Sequence, residues 1–240
     1  MGSKCGMSTS YIGFGVAEAL LDVGATVIII SSSSEKVTNA VKRLNSPNVK
    51  GTVGNVREEA AFVELLRSLA PVDHIVFSSV DRIIRGKLGD LNLDDAKHLF
   101  GVKFWGAVVL GKAVLNYDII KAGGSLTLTS GMAAIKPGKG ASVGGALNGG
   151  VLSLTVGLAS DLAEMKIRVN TVVPGLVMTE LWEKQGKSVE QQKEEFRTVA
   201  KSLPVGFVAT AEDIAEAYLY CIRADYATGT CVQIDGGTCL

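Results

Sequence analysis

A surplus of charge is missing from this sequence. Its 240 residues carry 24 Lys and Arg against 24 Asp and Glu, a formal net charge of zero. Nothing therefore argues for nucleic acid or an anionic membrane surface as partner. No apolar run approaches the ~18 residues of a membrane span, and no secretory apolar stretch is found. There are four cysteines (Cys5, Cys221, Cys231 and Cys239) and two histidines (His74 and His98), with no metal-like spacing. That argues against a zinc site or a Cys/His nucleophile, so no metal is expected. Linkers rich in Pro, Gly or Ser, blocks of charge and internal repeats are also missing. One domain over 1–240 is expected rather than two small ones. With 47% hydrophobic and 20% charged residues, the composition suits a soluble, well-packed core, with the cytoplasm as default compartment.

What is present is an alternation of strands and helices. The stretch Gly123–Gly131 alternates Thr and Leu as a strand does and ends in a small polar turn. Val143, Leu147, Val151, Leu154, Leu158 and Leu162 follow at helical spacing. Ile167–Val173 is then a second buried-strand pattern, stopping at Pro174-Gly175. Strand, long helix and strand make a parallel βαβ unit, and ligands in such sheets sit at the carboxyl ends of the strands. Ser130 stands at one such end and Pro174–Thr179 at the next.

Further strands are expected at Thr26–Ile30 and Val72–Phe77, and at Val232–Ile234 to close the sheet. Helices are expected after Ile12, over Ser34–Leu44, Glu58–Leu69 and Leu93–Val114, and before Cys221, where Thr210–Asp213 is a capping signature. The fold class is α/β, a doubly wound parallel sheet. Polar Ser188–Ser202 belongs to a substrate lid over about 180–208, with Trp182, Phe196 and Phe207 as an apolar wall.

Thr129-Ser130-Gly131, Arg168-Val169-Asn170, Pro174-Gly175-x-x-x-Thr179 and Asp235-Gly236-Gly237 stand in one order and spacing. Together they resemble the short-chain dehydrogenase/reductase family, from about Ile12 to Asp235. The resemblance implies a Rossmann-type domain binding NAD(P). It also implies a serine followed, about 13 residues on, by Tyr-x-x-x-Lys, whose phenol relays the proton. Ser130 matches that serine. The paired positions are Val143 and Leu147 in one register, Gly144 and Asn148 in the other. Neither supplies a phenol or an ammonium. Lys103 stands where the family usually has an asparagine. The pattern resembles a divergent fungal and plant branch of the family. Ser130, Lys103 and Asp81 are the catalytic candidates, with Lys136 and Lys139 as further proton sources through water.

The beginning of the chain departs furthest from the family. Met1–Cys5 holds only two apolar residues, where the family has a central strand. That strand is either a short stub or missing, and an empty slot would leave buried backbone groups unpaired at roughly 1–3 kcal/mol each. In the turn that follows, Gly13 matches the last glycine, Tyr11 takes the middle one's place, and Gly6 matches the first only with an extra residue. Ser8 and Ser10 can still serve a phosphate, with Ile12 and Gly13 beside it at a helix N-terminus.

After Ile30 come Ser31, Ser32 and Ser33 instead of the acid that marks an NAD site, with Lys36 close by. These favour NADP(H), and they equally suit a serine turn capping a helix. Asn55 and Val56 are placed at the adenine, although Asn55 equally suits a turn bonded to its own backbone. Ser78 lies beside the nicotinamide ribose, and Pro174, Gly175, Val177 and Thr179 line the nicotinamide side. His74, inside a strand, reads as structural, and His98 as exposed. Asp81 opens into the cleft or is simply solvated. The helices around Phe104 and Leu154 present apolar faces suited to core packing or, by resemblance, to a homodimer or homotetramer.

Three functions fit. The first is an NADP(H)-dependent oxidoreductase acting on a carbonyl or imine of an apolar small molecule in secondary metabolism. The second is a cofactor-scaffold enzyme doing a non-redox cyclisation or isomerisation. The third is an inactive NADP-binding protein.

Overall fold

The structure, a computed structural model, describes residues 4–8, 11–179 and 188–240. Seven parallel strands form one sheet: β1 (Lys4–Ser8), β2 (Thr26–Ser31), β3 (Val49–Val53), β4 (Val72–Phe77), β5 (Ile120–Thr129), β6 (Arg168–Pro174) and β7 (Cys231–Ile234). Their order is β3-β2-β1-β4-β5-β6-β7. The direction of winding reverses between β1 and β4, and there a doubly wound sheet opens a crevice at its carboxyl edge. The helices are α1 (Tyr11–Asp22), α2 (Ser34–Leu44), α3 (Glu59–Leu69), α4 (Leu93–Lys103), α5 (Trp105–Asn116), α6 (Ser142–Asp161), α7 (Val189–Ser202) and α8 (Ala211–Arg223).

The central strand is short but present. Lys4–Ser8 pair with Thr26–Ile30 on one side, and Cys5, Gly6 and Met7 pair with His74, Ile75 and Val76 on the other. A short first strand is therefore present, but at Lys4–Ser8 instead of Met1–Cys5, and the turn is relocated. Gly6 and Ser8 belong to the strand, not to a glycine-rich loop, and Tyr11 already opens α1. Cys5 is buried in the core, and burial pushes its thiol up to about 12.

Strand alternation builds one core on each face of the sheet. Ile75, Phe77, Leu126 and Leu128 point to the face covered by α3, α5 and α6, where they meet Phe62, Leu110, Val151 and Leu158. Val27, Ile29, Val76 and Val172 point to the opposite face, against Val16 and Leu20 of α1 and Ile214 and Tyr218 of α8. Gly15 lets α1 and α8 approach closely, because a Cβ there would lie 2.8 Å from the Ala211 methyl. Two helical stretches, 93–116 and 142–161, are long and apolar enough to cross a membrane by composition alone. In this fold both turn apolar side chains to the sheet.

The expected Leu93–Val114 helix divides at Phe104 into α4 and α5. His74 is structural, its Nδ1 2.9 Å from Ser125 Oγ, and His98 is exposed. Burial, outweighing the smaller effects of Asp73 and Arg168, holds the His74 pKa below its usual value.

The Arg168-Val169-Asn170 motif proves to be a clamp on the loop between α8 and β7. The Arg168 guanidinium donates to the carbonyls of Cys221 (2.7 Å), Ile222 (2.8 Å) and Ala227 (3.4 Å). Asn170 donates to Ala227 O (2.7 Å) and accepts from Thr230 N (3.0 Å). Both side chains are buried, so removing either leaves partners unpaired. Asn170→Ala should lower stability by about 1–3 kcal/mol and Arg168→Met by at least as much. Urea denaturation measures this, and losses below ~0.5 kcal/mol would contradict the clamp.

Candidate active site and cofactor cleft

A cleft of about 1140 Å³ runs along the carboxyl edge of the sheet. That exceeds the ~300–1,000 Å³ of most small-molecule sites. Of the residues expected to hold a cofactor, Ile12, Ser31, Ser32, Asn55, Val56, Ser78, Pro174, Gly175, Val177 and Thr179 line it. Ser8 closes β1, with its backbone opposite Ile30. Ser10 lies outside the described residues, as does Trp182 of the expected lid. Gly13 is buried in α1.

Ser33 is a correction. It is the N-cap of α2, its hydroxyl accepts from Lys36 N at 3.3 Å, and it does not line the cleft. Ser31 Oγ accepts from Ser33 N at 3.4 Å, while Ser32 is exposed. The serine run thus caps the helix and edges the cleft at once. Lys36, Asn39, Lys42 and Arg43 line the same end, and no carboxylate does so between Ser31 and Val56. Arg43 sits over the Phe14 ring at 4.1 Å. Asn55 is part of the wall, but its amide is committed. Oδ1 accepts from Arg57 N (3.1 Å) and Nδ2 donates to Glu58 (2.8 Å). A cationic end with hydroxyls and no acid, next to the N-terminus of α1, fits the 2′-phosphate and pyrophosphate of NADP(H).

At the other end β5 delivers Ser130, whose backbone N–H is bonded to Val172 O at 2.9 Å. Its hydroxyl donates to the backbone carbonyl of Asn148 on α6, at 2.8 Å. Lys103, the last residue of α4, donates to Ser130 O at 2.8 Å and to Asn148 Oδ1 at 2.7 Å. Asn148 Nδ2 in turn donates to Gly144 O at 2.7 Å. Burial of the Lys103 ammonium lowers its pKa to about 8. Ser130 and Lys103 are thus brought together, with Asn148 between them. The sequence marks Asn148 only as a register position opposite Ser130, and as the one amide in a helix of small and apolar residues; its role in joining the two side chains comes from the fold.

The register Gly144/Asn148 is the one that faces Ser130, since Leu147 is buried against Ile84 and Leu99. A Cβ on Gly144 would lie 2.6 Å from the Ile84 carbonyl. The segment after β4 thus occupies the place a side chain would need. Gly86 N donates to Gly140 O at 2.9 Å and fastens that segment to the loop before α6. Tyr218 does not replace the phenol. Its hydroxyl is 2.6 Å from Thr129 Oγ1, on the sheet face covered by α8, and burial raises its pKa.

Asp81 is a second correction. It lines the cleft, but its carboxylate forms an ion pair with Arg57, which also donates to His98 O at 3.0 Å. Arg57 thus ties the loop before α3 to the segment after β4 through Asp81 and to α4 through His98. Lys136 is likewise engaged, donating to Thr238 O at 2.9 Å and Leu240 O at 3.3 Å. Lys139 is exposed.

Beyond Pro174, a Cβ on Gly175 would lie 2.7 Å from Asp235 Cα, so the cofactor rim packs directly on the Asp235 turn. Gly236 and Gly237, at φ +64° and +85°, allow that turn. Asp235 accepts from Gly237 N (2.9 Å) and Cys239 N (3.1 Å). Burial raises its pKa, but these bonds and one from Gln233 outweigh it, and the net shift is downward. Of the expected apolar wall, Phe196 is half-buried and Phe207 is exposed. Glu195 and Val199 of α7 line the cleft.

Known proteins resemble this chain over nearly its whole length. Short-chain dehydrogenase/reductase fsr5 of Gibberella fujikuroi is 31% identical over 97% of this chain and 92% of its own. The structure of MalC reductase/Diels-Alderase from Malbranchea aurantiaca superposes with a TM-score of 0.87 at 28% identity, covering 98% of this chain and 96% of that one. A small-chain dehydrogenase in complex with NADPH gives a TM-score of 0.79 at 31% identity, over 99% and 98% of the two chains. The SDR-like Rossmann domain matches residues 5–240, and the chain belongs to the short-chain dehydrogenase/reductase family.

Proposed function

We propose that this protein is an NADP(H)-dependent oxidoreductase that reduces a carbonyl of an apolar small molecule in the cytoplasm, in secondary metabolism. The observation that carries it is the Lys103 ammonium, held at the cleft by Ser130 and Asn148 in place of a phenol. The cofactor, when bound, supplies the hydride. Ser32, Lys36 and Arg43 would hold its adenosine end, and Pro174, Gly175, Val177 and Thr179, which line the cleft, would lie beside the nicotinamide. The protein's own chemistry is polarisation and protonation of the substrate oxygen. Ser130 Oγ can turn from Asn148 O to that oxygen. The Lys103 ammonium stabilises the developing alkoxide, gives it a proton and is recharged from water. The same positive charge opposes a cationic iminium substrate, and this favours the carbonyl over the imine.

Apolar Ile83, Leu88, Ile135, Met178 and Phe207 are exposed on the loops around the cleft and suit an apolar substrate. A second reading, cofactor-scaffolded cyclisation or isomerisation, draws support from the relative named as both reductase and Diels-Alderase. Assembly as a homodimer or homotetramer through α5 and α6 is part of the proposal. Trp105, Leu115 and Val156 are exposed there, and a Cβ on Gly149 or Gly157 would meet nothing within 4 Å.

NADPH should quench or shift fluorescence on titration and bind at least ~10-fold tighter than NADH. Lys36→Glu with Arg43→Glu should erase that preference. Absence of any response at saturating nucleotide would exclude both enzymatic readings. Ketone reduction should decline as pH rises through about 8, because Lys103 then loses the proton it donates. Lys103→Met should cost roughly 10²–10⁴-fold in kcat. A flat alkaline profile, or a fully active Lys103→Met, would remove Lys103 from the chemistry. Sedimentation should give a dimer or tetramer, dissociated by Val156→Arg, and a monomeric wild type would refute the interface.

A further inference from the structure

We propose that Asn148 is the positioning residue of this site: clamped by Gly144, its amide holds the Lys103 ammonium through an uncharged acceptor and leaves the third N–H for the substrate. This rests on the reductase reading above. An ammonium has three donors and no acceptor. Two donors of Lys103 are taken, by Ser130 O at 2.8 Å and Asn148 Oδ1 at 2.7 Å. Lys103 itself lines the cleft, so the remaining N–H is the one available to a ligand. The amide cannot turn over freely. Nδ2 is fixed on Gly144 O at 2.7 Å, and a reversed amide would set N–H donors against the ammonium. Gly131 leaves room for this arrangement, since a Cβ there would stand 3.3 Å from Asn148 Oδ1.

The neutral character of the hold matters. Helix α6 has no charged side chain before Asp161. On the other elements around Lys103, Asp81 pairs with Arg57, Arg82 pairs with Asp95, and Lys136 is bound to backbone carbonyls. Arg85 and Lys139 are exposed. A carboxylate in place of Asn148 would bind the proton on Lys103 more tightly, and loss of the acceptor would bind it less tightly. The step served is balanced. With hydride supplied to the carbonyl carbon by a bound cofactor, the C=O π pair would become the O–H bond with the proton from Lys103 Nζ, and water would return a proton to the amine.

The test is competitive acylation of Lys103 in the full cofactor-free chain, read by mass spectrometry across the alkaline range. The wild-type midpoint should lie near 8. Asn148→Asp should raise it by about one unit or more, cutting labelling at pH about 8 by roughly 10-fold, while Asn148→Ala should lower it. The alkaline limb of ketone reduction should move in the same two directions. Opposite shifts are not what a merely structural loss produces. Asn148→Ser serves as a second truncation, expected to shift as Asn148→Ala does, if either variant unfolds. Midpoints that stay put, or that move the same way in both variants, overturn the proposal. Opposite labelling shifts without any ketone turnover would leave Asn148 as the orienting group and refute the reductase reading instead.

Discussion

A buried ammonium with no carboxylate bonded to it among the described residues governs this cleft. Lys103 ends α4 with its charged end withdrawn from water, and its described partners are a backbone carbonyl and an amide oxygen. Hydrogen bonds to a charged group contribute about 1.5–3 kcal/mol each, which offsets part of the desolvation. What is not offset is seen as the lowered pKa, about 8. A carboxylate partner would stabilise the charge better and make the proton harder to release. The arrangement therefore sacrifices stability for a group that can exchange its proton near neutrality.

The sheet makes that possible by separating two kinds of polar demand. At one end α2 presents Lys36, Lys42 and Arg43 to the cleft, a cationic wall that favours an anionic ligand. On the catalytic side, β5, α4 and α6 contribute one ammonium among apolar and small residues. The two meet where β1 and β4 diverge, and five residues of β1 are enough to pair with both neighbours. The clamp made by Arg168 and Asn170 lies on the far side of β6, where it fixes the α8–β7 loop and with it the edge strand.

Much of the frame was legible in the sequence because local signals agreed with it. The limits of α2 and β4 coincide with a serine cap and a run of β-branched and apolar residues. Strand β3 was not foreseen. It reads Val-Lys-Gly-Thr-Val at the sheet edge, half polar and carrying a glycine, so propensity is weak there. The division at Phe104 was equally invisible, since apolar periodicity continues through it. At the site, Ser130 and Lys103 could be named from position, but not the amide joining them. Its bonds span 18 and 45 residues of sequence and follow from the packing of α4 against α6. Asp81 and Ser33 misled for a related reason. Each stands where a functional group would be useful, and each is taken by a neighbour, Arg57 or the first turn of α2.

The missing phenol is best understood together with the backbone that fills its place. The Ile84 carbonyl lies where a Gly144 side chain would start, and the segment is anchored twice. Ile84 packs with Leu99 and Leu147, and Gly86 bonds to Gly140. A site that had merely lost a tyrosine would leave its former partners buried without hydrogen bonds. Among the described residues the buried side-chain atoms without a partner are Thr127 Oγ1, Thr171 Oγ1 and Arg168 Nε, all on strands β5 and β6 and none in the catalytic group. Ser130, Lys103 and Asn148 are each bonded, and the Ile84 carbonyl takes the space a Gly144 side chain would need. The Ile84 segment, Lys103 and Asn148 therefore form one packed site in which each polar side chain has a partner and one N–H of Lys103 is left for a ligand.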